Sequence, residues 1–203
     1  MKKVLIIVIT DKHVMPRCYN SLLEQDYPNF LVSVVAKRPV FQHSDTTKLK
    51  YLNCVDNRNE ARRMFLGSDS DYCLFVDSDI VLPKNALSLL MSHGKDVMGG
   101  WYQEINSDRW VAGRWIADNT FFNFRQIQPS VVKTDVVGMG CALVSRKVLE
   151  QVSFKPAIDV ILKDESGVSL ILGECGAFGN DVAEMGFNLY MDGSVVCEHL
   201  IRN

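Results

Sequence analysis

Asp77 and Asp79 stand one residue apart in "YCLFVDSDIVLP", Tyr72 to Pro83, at the end of a run that otherwise reads as buried strand. Desolvating two like charges is costly, so water or a cation must reach them. Side chains alternate along a strand, and both carboxylates point the same way if the extended geometry continues. Hard oxygen ligands converging at the end of a strand suit Mg²⁺ or Mn²⁺ bridging to a phosphorylated substrate. The same residues admit plainer roles, with Asp79 capping the helix that follows Pro83 or both acids solvated in a loop.

The elements around this pair set where it sits. "VLIIVIT" is a continuous β-branched run, as expected of a central parallel strand buried on both faces. "MPRCYNSLLEQ" reads as a helix with Pro16 near its start, "FLVSVVAK" as a second strand, and "NRNEARRMFLGS" as a helix ending near Gly67. "YCLFVD" is a third strand and "PKNALSLLMSHG" a further helix. Strand and helix alternate through the first ~95 residues, the pattern of an α/β layer with a mostly parallel sheet. Ligands of such sheets bind at the carboxyl ends of the strands, where Asp77 falls. Beyond Gly94, short strands at "DVMGGWYQ", "RWVAGRW", "SVVKTDVV" and "CALVS" predict a mixed or antiparallel portion. A short helix at "RKVLEQV", a less regular stretch over 154–176, a helix at "NDVAEMG", and strands at "NLYM" and "SVVCEHL" complete the chain.

The 203 residues suffice for a sizeable core in one domain. A net charge of −2 with no basic run argues against gripping a nucleic-acid backbone. The six cysteines show no C-x-x-C spacing and several lie in apolar runs, as reduced thiols of a cytoplasmic protein would. The apolar run Val4 to Ile9 is too short for a membrane span and lacks a cleavage site, so no transmembrane segment is expected.

In order along the chain, further residues resemble the GT-A glycosyltransferases, particularly those related to family 2. "YNSLLEQDYPNFLVSVV" is similar to that family's Ser-Leu-x-x-Gln-x-Tyr-Pro signature through Ser21, Leu22, Gln25, Tyr27 and Pro28. Asn57, Arg58, Asn59 and Ala61 match the helix that precedes its Asp-x-Asp strand. "GMGCALVSRKVLE" resembles the glycine-rich strand and short helix, and "GNDVAEMGFNLYMDGSVVCEHL" the Glu-Asp helix and the late strand that bears a histidine. The resemblance implies one GT-A-like domain over 1–203, with a Rossmann-type sheet flanked by helices on both faces. Its nucleotide-binding half would span about 1–95 and its acceptor-side half about 96–203.

It also implies roles. Thr10 and Asp11 would lie beside the nucleotide, and Arg58 would neutralise phosphate or orient Asp77, as a guanidinium can in bidentate fashion. Asp77 would approach ribose and metal, Asp79 would ligate the metal, and His199 would be a further metal or diphosphate ligand. An imidazole beside carboxylate oxygen tilts the ion from Mg²⁺ toward Mn²⁺. Asp181 would be the general base of an inverting transfer, with Glu174 and Asp164 as nearby substitutes. The family pair is Glu-Asp, where this chain has Asn180-Asp181. Without the resemblance, Asp181 reads as a first-turn helix acid and His199 as a structural histidine. Relatives place an aspartate after the second strand to contact the base, where this chain has Ala36, Lys37 and Arg38; Asp56 would serve instead. Trp101, after Gly99-Gly100, is the aromatic residue nominated for the ligand site, while Trp110, Trp115, Phe121 and Phe122 fit core packing equally well.

The expected partners are a nucleoside-diphosphate sugar, UDP-linked most often in the family, and a glycan, lipid-linked or protein acceptor, with peripheral membrane association open. Two alternatives share these residues. One is a non-catalytic nucleotide- or glycan-binding protein on the same fold, which Asn180 keeps open. The other is a haloacid-dehalogenase-like phosphatase, whose nucleophile loop "DSDIV" would also fit.

Overall fold

The computed structural model describes residues 1–10, 12–36, 46–105, 107, 109–117, 120–157, 161–164, 167 and 169–201. All seven residues of β1 (Val4–Thr10) are buried, as its β-branched composition requires of a strand covered on both faces. After it come α1 (Pro16–Leu23), β2 (Phe30–Ala36), α2 (Thr46–Leu66), β3 (Tyr72–Asp77), β4 (Ile80–Val81) and α3 (Ala86–Ser92). The chain continues through β5 (Val97–Trp101), β6 (Ala112–Ala117), β7 (Thr120–Asn123), β8 (Val131–Thr134), β9 (Val136–Val137), β10 (Cys141–Ser145) and α4 (Arg146–Gln151). It ends with β11 (Ile161–Asp164), β12 (Ser169–Ile171), α5 (Gly173–Glu184), β13 (Leu189–Val196) and β14 (Glu198–His199).

Seven strands form the main sheet in the order β2-β1-β3-β10-β5-β13-β8. Parallel pairing joins β1 to β2 and β3, and β5 to β13, while β10 and β8 run against their neighbours. The sheet is therefore mostly parallel, and strands from both halves of the sequence build it. A five-stranded sheet, β12-β11-β7-β6-β9, supplies the mixed portion, and β14 pairs with β4 in a separate ribbon.

Alternation along β1 divides the core between the two faces of the sheet. Leu5, Ile7 and Ile9 pack with Val55, Ala61 and Phe65 of α2, Val148 and Leu149 of α4, and Phe178 and Val182 of α5. Val4, Ile6 and Val8 pack with Cys18 and Leu22 of α1 and with Ala86, Leu87 and Leu90 of α3. Among the described residues, no helix is long and apolar enough to cross a membrane.

Two helix boundaries depart from the sequence expectation. The helix carrying Arg58 begins at Thr46, so Asp56 lies within it, half-buried, and does not precede it. α5 begins at Gly173, so Asn180 and Asp181 fall in its second half and Asp181 is no first-turn acid. The acid in its first turn is Glu174.

Candidate functional site

β3 delivers Asp77 to the carboxyl edge of the sheet, and the chain is then held tightly through the Asp-Ser-Asp turn. The Ser78 amide donates to the Ile9 carbonyl at 3.2 Å, and the Ser78 carbonyl accepts from the Met15 amide at 2.9 Å. Ser78 is itself 1% exposed, so the residue between the acids faces inward. The Asp77 and Asp79 side chains keep 36% and 15% of their surface. The Ser-Leu-x-x-Gln signature braces the segment that follows. Ser21 Oγ accepts from the Leu82 amide at 3.1 Å, and Gln25 bonds the Pro83 carbonyl and the Leu87 amide at 3.0 and 2.9 Å.

Arg58 reaches Asp77 from α2, with its Nη2 at 2.5 Å from Oδ1. Its side chain is 1% exposed, and its Nε and Nη1 have no hydrogen-bond partner among the described residues. Burial alone would lower its pKa, but Asp77, with Cys54 and Glu174 behind it, holds the guanidinium above its ordinary value. Asn59 fixes the helix by two bonds to the backbone of Phe154, at 2.8 and 3.0 Å.

Glu174 enters this neighbourhood from the start of α5 and is 7% exposed. Its Oε1 accepts from the Cys54 and Cys175 thiols at 3.2 and 3.5 Å. Burial first, and then the Glu174 charge, push both thiols up, so they remain protonated donors. Gly173 before it has φ 66°, a conformation glycine adopts without strain, and an added Cβ would meet the Tyr51 ring at 3.1 Å. That turn aims the first residues of α5 at Arg58.

On the other side of the turn, His199 Nε2 lies 3.7 Å from Asp79 Oδ1. Its Nδ1 lies 2.7 Å from the Gln103 carbonyl, which can only accept, so this nitrogen carries the proton of the neutral ring. The Nε2 lone pair then faces a carboxylate, an arrangement satisfied by a proton or by a cation shared between them. Pairing of His199 with Ile80 and the bond from the Leu200 amide to the Asp79 carbonyl, 2.8 Å, keep the two together. Among the described residues, no group of three or more His, Cys, Asp or Glu side chains gathers as a ligand set.

Tyr102 links the two sides. Its hydroxyl accepts from the Gly140 amide at 2.9 Å, and its ring meets His199 edge-on at 5.6 Å between centroids. Burial first, and then Asp77, hold its hydroxyl well above the ordinary range. The sequence nominated its neighbour Trp101, which is 0% exposed and packs against Trp110 and Phe124. A one-residue step along an extended chain exchanges site face for core face, and no ligand can stack on Trp101 where it lies. Thr10 is also buried, and its hydroxyl holds the next loop by accepting from the Lys12 amide and donating to the His13 carbonyl. Asp11, Lys37, Arg38 and the Asp164 side chain lie outside the described residues.

Asp181 faces elsewhere. Its Oδ2 is bonded by Lys155 at 2.8 Å, with 62% and 21% of the Lys155 and Asp181 side chains exposed. At about 1.5 Å per residue, it stands about 10 Å along α5 from Glu174. Its neighbour Asn180 accepts from the Trp115 indole at 3.0 Å, a packing role that needs no acid.

No family model matches the chain, and no curated protein matches it in sequence. Among solved structures, A197 from STIV superposes with TM-score 0.60 and 18% identity, over 98% of this chain and 86% of that one. GalNAc-T7 with UDP, GalNAc and Mn²⁺ gives TM-score 0.64 and 10% identity, over 100% of this chain and 44% of that one. S. aureus TarS 1-349 in complex with UDP-GlcNAc gives TM-score 0.59 and 16% identity, over 99% and 59%. The chain thus spans less than two thirds of the latter two, and identities this low speak to architecture alone. The architecture, a mostly parallel sheet with helices on both faces, is the GT-A fold of the nucleotide-sugar glycosyltransferases.

Proposed function

We propose that this chain is a glycosyltransferase that moves a sugar from a nucleoside-diphosphate sugar to an acceptor hydroxyl. The observation that carries the reading is the Asp79–His199 pair, set at 3.7 Å with the far histidine nitrogen committed to Gln103. Two ligands each about 2.1 Å from one ion stand roughly 3–4 Å apart, so the spacing fits a shared Mn²⁺ or Mg²⁺. A hydrogen bond on the second imidazole nitrogen is what orients a metal-binding histidine. Hard cations of this kind take one or two protein ligands and complete their shell with substrate phosphate and water, which fits a two-residue set. When bound, such an ion offsets the charge that builds on the leaving diphosphate.

The remaining roles follow from access and charge. Arg58 orients Asp77 from beneath, leaving its second oxygen for ribose or metal. Glu174 takes the proton-accepting role expected of Asp181, because it shares the Arg58 neighbourhood whereas Asp181 is held by Lys155. The acceptor oxygen attacks the anomeric carbon, its proton passes to the carboxylate, and the bond to the diphosphate breaks, with inversion as the expected outcome. A UDP-linked donor is the first to try, since the GalNAc-T7 and TarS structures carry UDP or UDP-GlcNAc.

The test is thermal shift with UDP-, GDP- and dTDP-sugars, with and without Mn²⁺, followed by product analysis. The expected outcome is metal-dependent stabilisation that is lost in Asp79→Ala, together with slow release of nucleoside diphosphate. Equal stabilisation of Asp79→Ala would remove the metal pair. Release of inorganic phosphate would favour the phosphatase, and stabilisation without any turnover the binding protein.

A further inference from the structure

His199 also lines a cavity of about 610 Å³. Its size falls within the ~300–1,000 Å³ of small-molecule sites. Trp110 forms one wall, half-buried, its ring meeting Trp101 near-perpendicularly at 6.0 Å between centroids. Ile105 and Ile201, 39% and 64% exposed, flank it, so an apolar surface is presented where the Asp79–His199 pair ends. Apart from His199, the charged part of the lining is acidic. It includes the carboxylates of Glu104 and Glu198, and no lysine or arginine among the described residues. Glu198 is held from outside by a two-pronged bond to Arg17 at 2.8 and 2.6 Å, which leaves Glu104 as the acid that sets the charge of the rim.

We propose that this cavity takes an uncharged sugar ring lying on Trp110, and that Glu104 excludes rings bearing carboxylate or phosphate. The CH face of a pyranose matches an aromatic wall, and its hydroxyls donate to a carboxylate acceptor. An anionic substituent at the same place meets like charge, which costs affinity and selects against such partners. The proposal deepens the glycosyltransferase reading and rests on it for the source of the ring, which is either the acceptor or the sugar of the donor.

Saturation-transfer NMR on the Mg²⁺-loaded protein tests it, using methyl hexopyranosides, methyl N-acetylhexosaminides, a methyl hexuronide and a hexose phosphate as probes. The neutral glycosides are expected to bind at least tenfold more tightly than the hexuronide of the same ring. Trp110→Ala should weaken them about tenfold while Trp110→Phe keeps them, and Glu104→Gln should bring the hexuronide to within about threefold of the neutral ring. Equal binding of neutral and anionic rings to wild type, or unchanged binding in Trp110→Ala, overturns the proposal. Because Glu104 is exposed, its variant keeps the test open even where Trp110→Ala fails to fold.

Thermal shift with UDP on the same samples separates the two claims. Nucleotide binding without glycoside binding sinks the cavity and leaves the transferase reading. Glycoside binding without nucleotide binding does the reverse. Displacement of the glycoside by a UDP-sugar but not by UDP assigns the ring to the donor, and persistence in both assigns it to the acceptor.

Discussion

Glu174 and Asp181 belong to one helix and stand about 10 Å apart along it. Glu174 is nearly buried, takes two thiol bonds and bears on Arg58, whereas Asp181 sits in the last turns of α5, where a negative charge is disfavoured by the helix dipole. Lys155 offsets that cost, which gives Asp181 a reason to exist without chemistry. Glu174→Gln is expected to lower kcat by about 10²–10⁴-fold with donor affinity kept, as loss of a general base does. Asp181→Asn is expected to keep at least half of the wild-type rate. Steady-state kinetics of the two variants side by side decides between them, and the opposite ranking returns the role to Asp181. The sequence put Asp181 first with Glu174 as a substitute, because it hid where α5 starts and so which acid lies near Arg58. Tyr102 was missed for a related reason: Trp101 and Tyr102 are both aromatic, and only the strand register tells which faces the site.

Helices and strands were legible where periodicity is clean. β1 and β3 announced themselves as unbroken apolar runs, and the placement of Asp77 at the sheet edge followed directly. The start of α2 was hidden because Lys48, Lys50, Asn53 and Asp56 break up its apolar residues, so only the half from Asn57 onward shows a helical stripe. α5 was read as a short helix because Gly173, Gly176 and Gly179 weaken helix propensity by roughly 1 kcal/mol each relative to Ala. Close packing explains one of them, since a Cβ at Gly179 would lie 2.2 Å from the Asp135 carbonyl oxygen. At Gly173 the reason is conformational, and Gly173→Ala is expected to cost about 1–2 kcal/mol from the left-handed backbone alone, measured by urea unfolding. It should also reduce turnover by displacing Glu174; an unchanged midpoint would show that this turn does not need glycine. At the opposite end of the sheet, Lys2 and the Lys3 amide hold Asp71 below its ordinary 3.8, joining the starts of β1 and β3. A depressed carboxyl pKa stabilises the fold above the ordinary value and loses that contribution as pH falls through the lowered one. Asp71→Asn should therefore lower stability above about pH 4 and flatten the acid limb, with variant and wild type converging at low pH. A steeper acid limb in the variant would contradict this sign.

At the scale of the whole molecule, strands from both halves interleave in one sheet, and each face carries its own core cluster. The sequence expected the later strands in a mixed second half, yet β5, β8, β10 and β13 join the main sheet, while the motif residues hold joints of the fold: Gln25 ties α1 to the start of α3, Asn59 ties α2 to Phe154, and Arg146 bonds the carbonyls of Phe65, Leu66, Ser68 and Ser70 at the end of α2. The cysteines follow from the same packing. None of the six forms a disulfide, four of them are buried, and burial pushes the Cys54, Cys73 and Cys175 thiols up, while Cys197 is raised by its Cys141 neighbour and by burial. Thiolate is the reactive form, so the native protein should react slowly with a disulfide reagent at neutral pH and release all six thiols only in denaturant. Fast reaction of one thiol in the native state would locate an opening near that cysteine.

The β4–β14 ribbon sets Asp79 beside His199, residues that leave the ribosome at widely separated moments. The strands that present Asp77 and Asp79 can be made, and begin to pair, long before the histidine exists. A growing chain therefore has no Asp79–His199 contact until synthesis has passed residue 199.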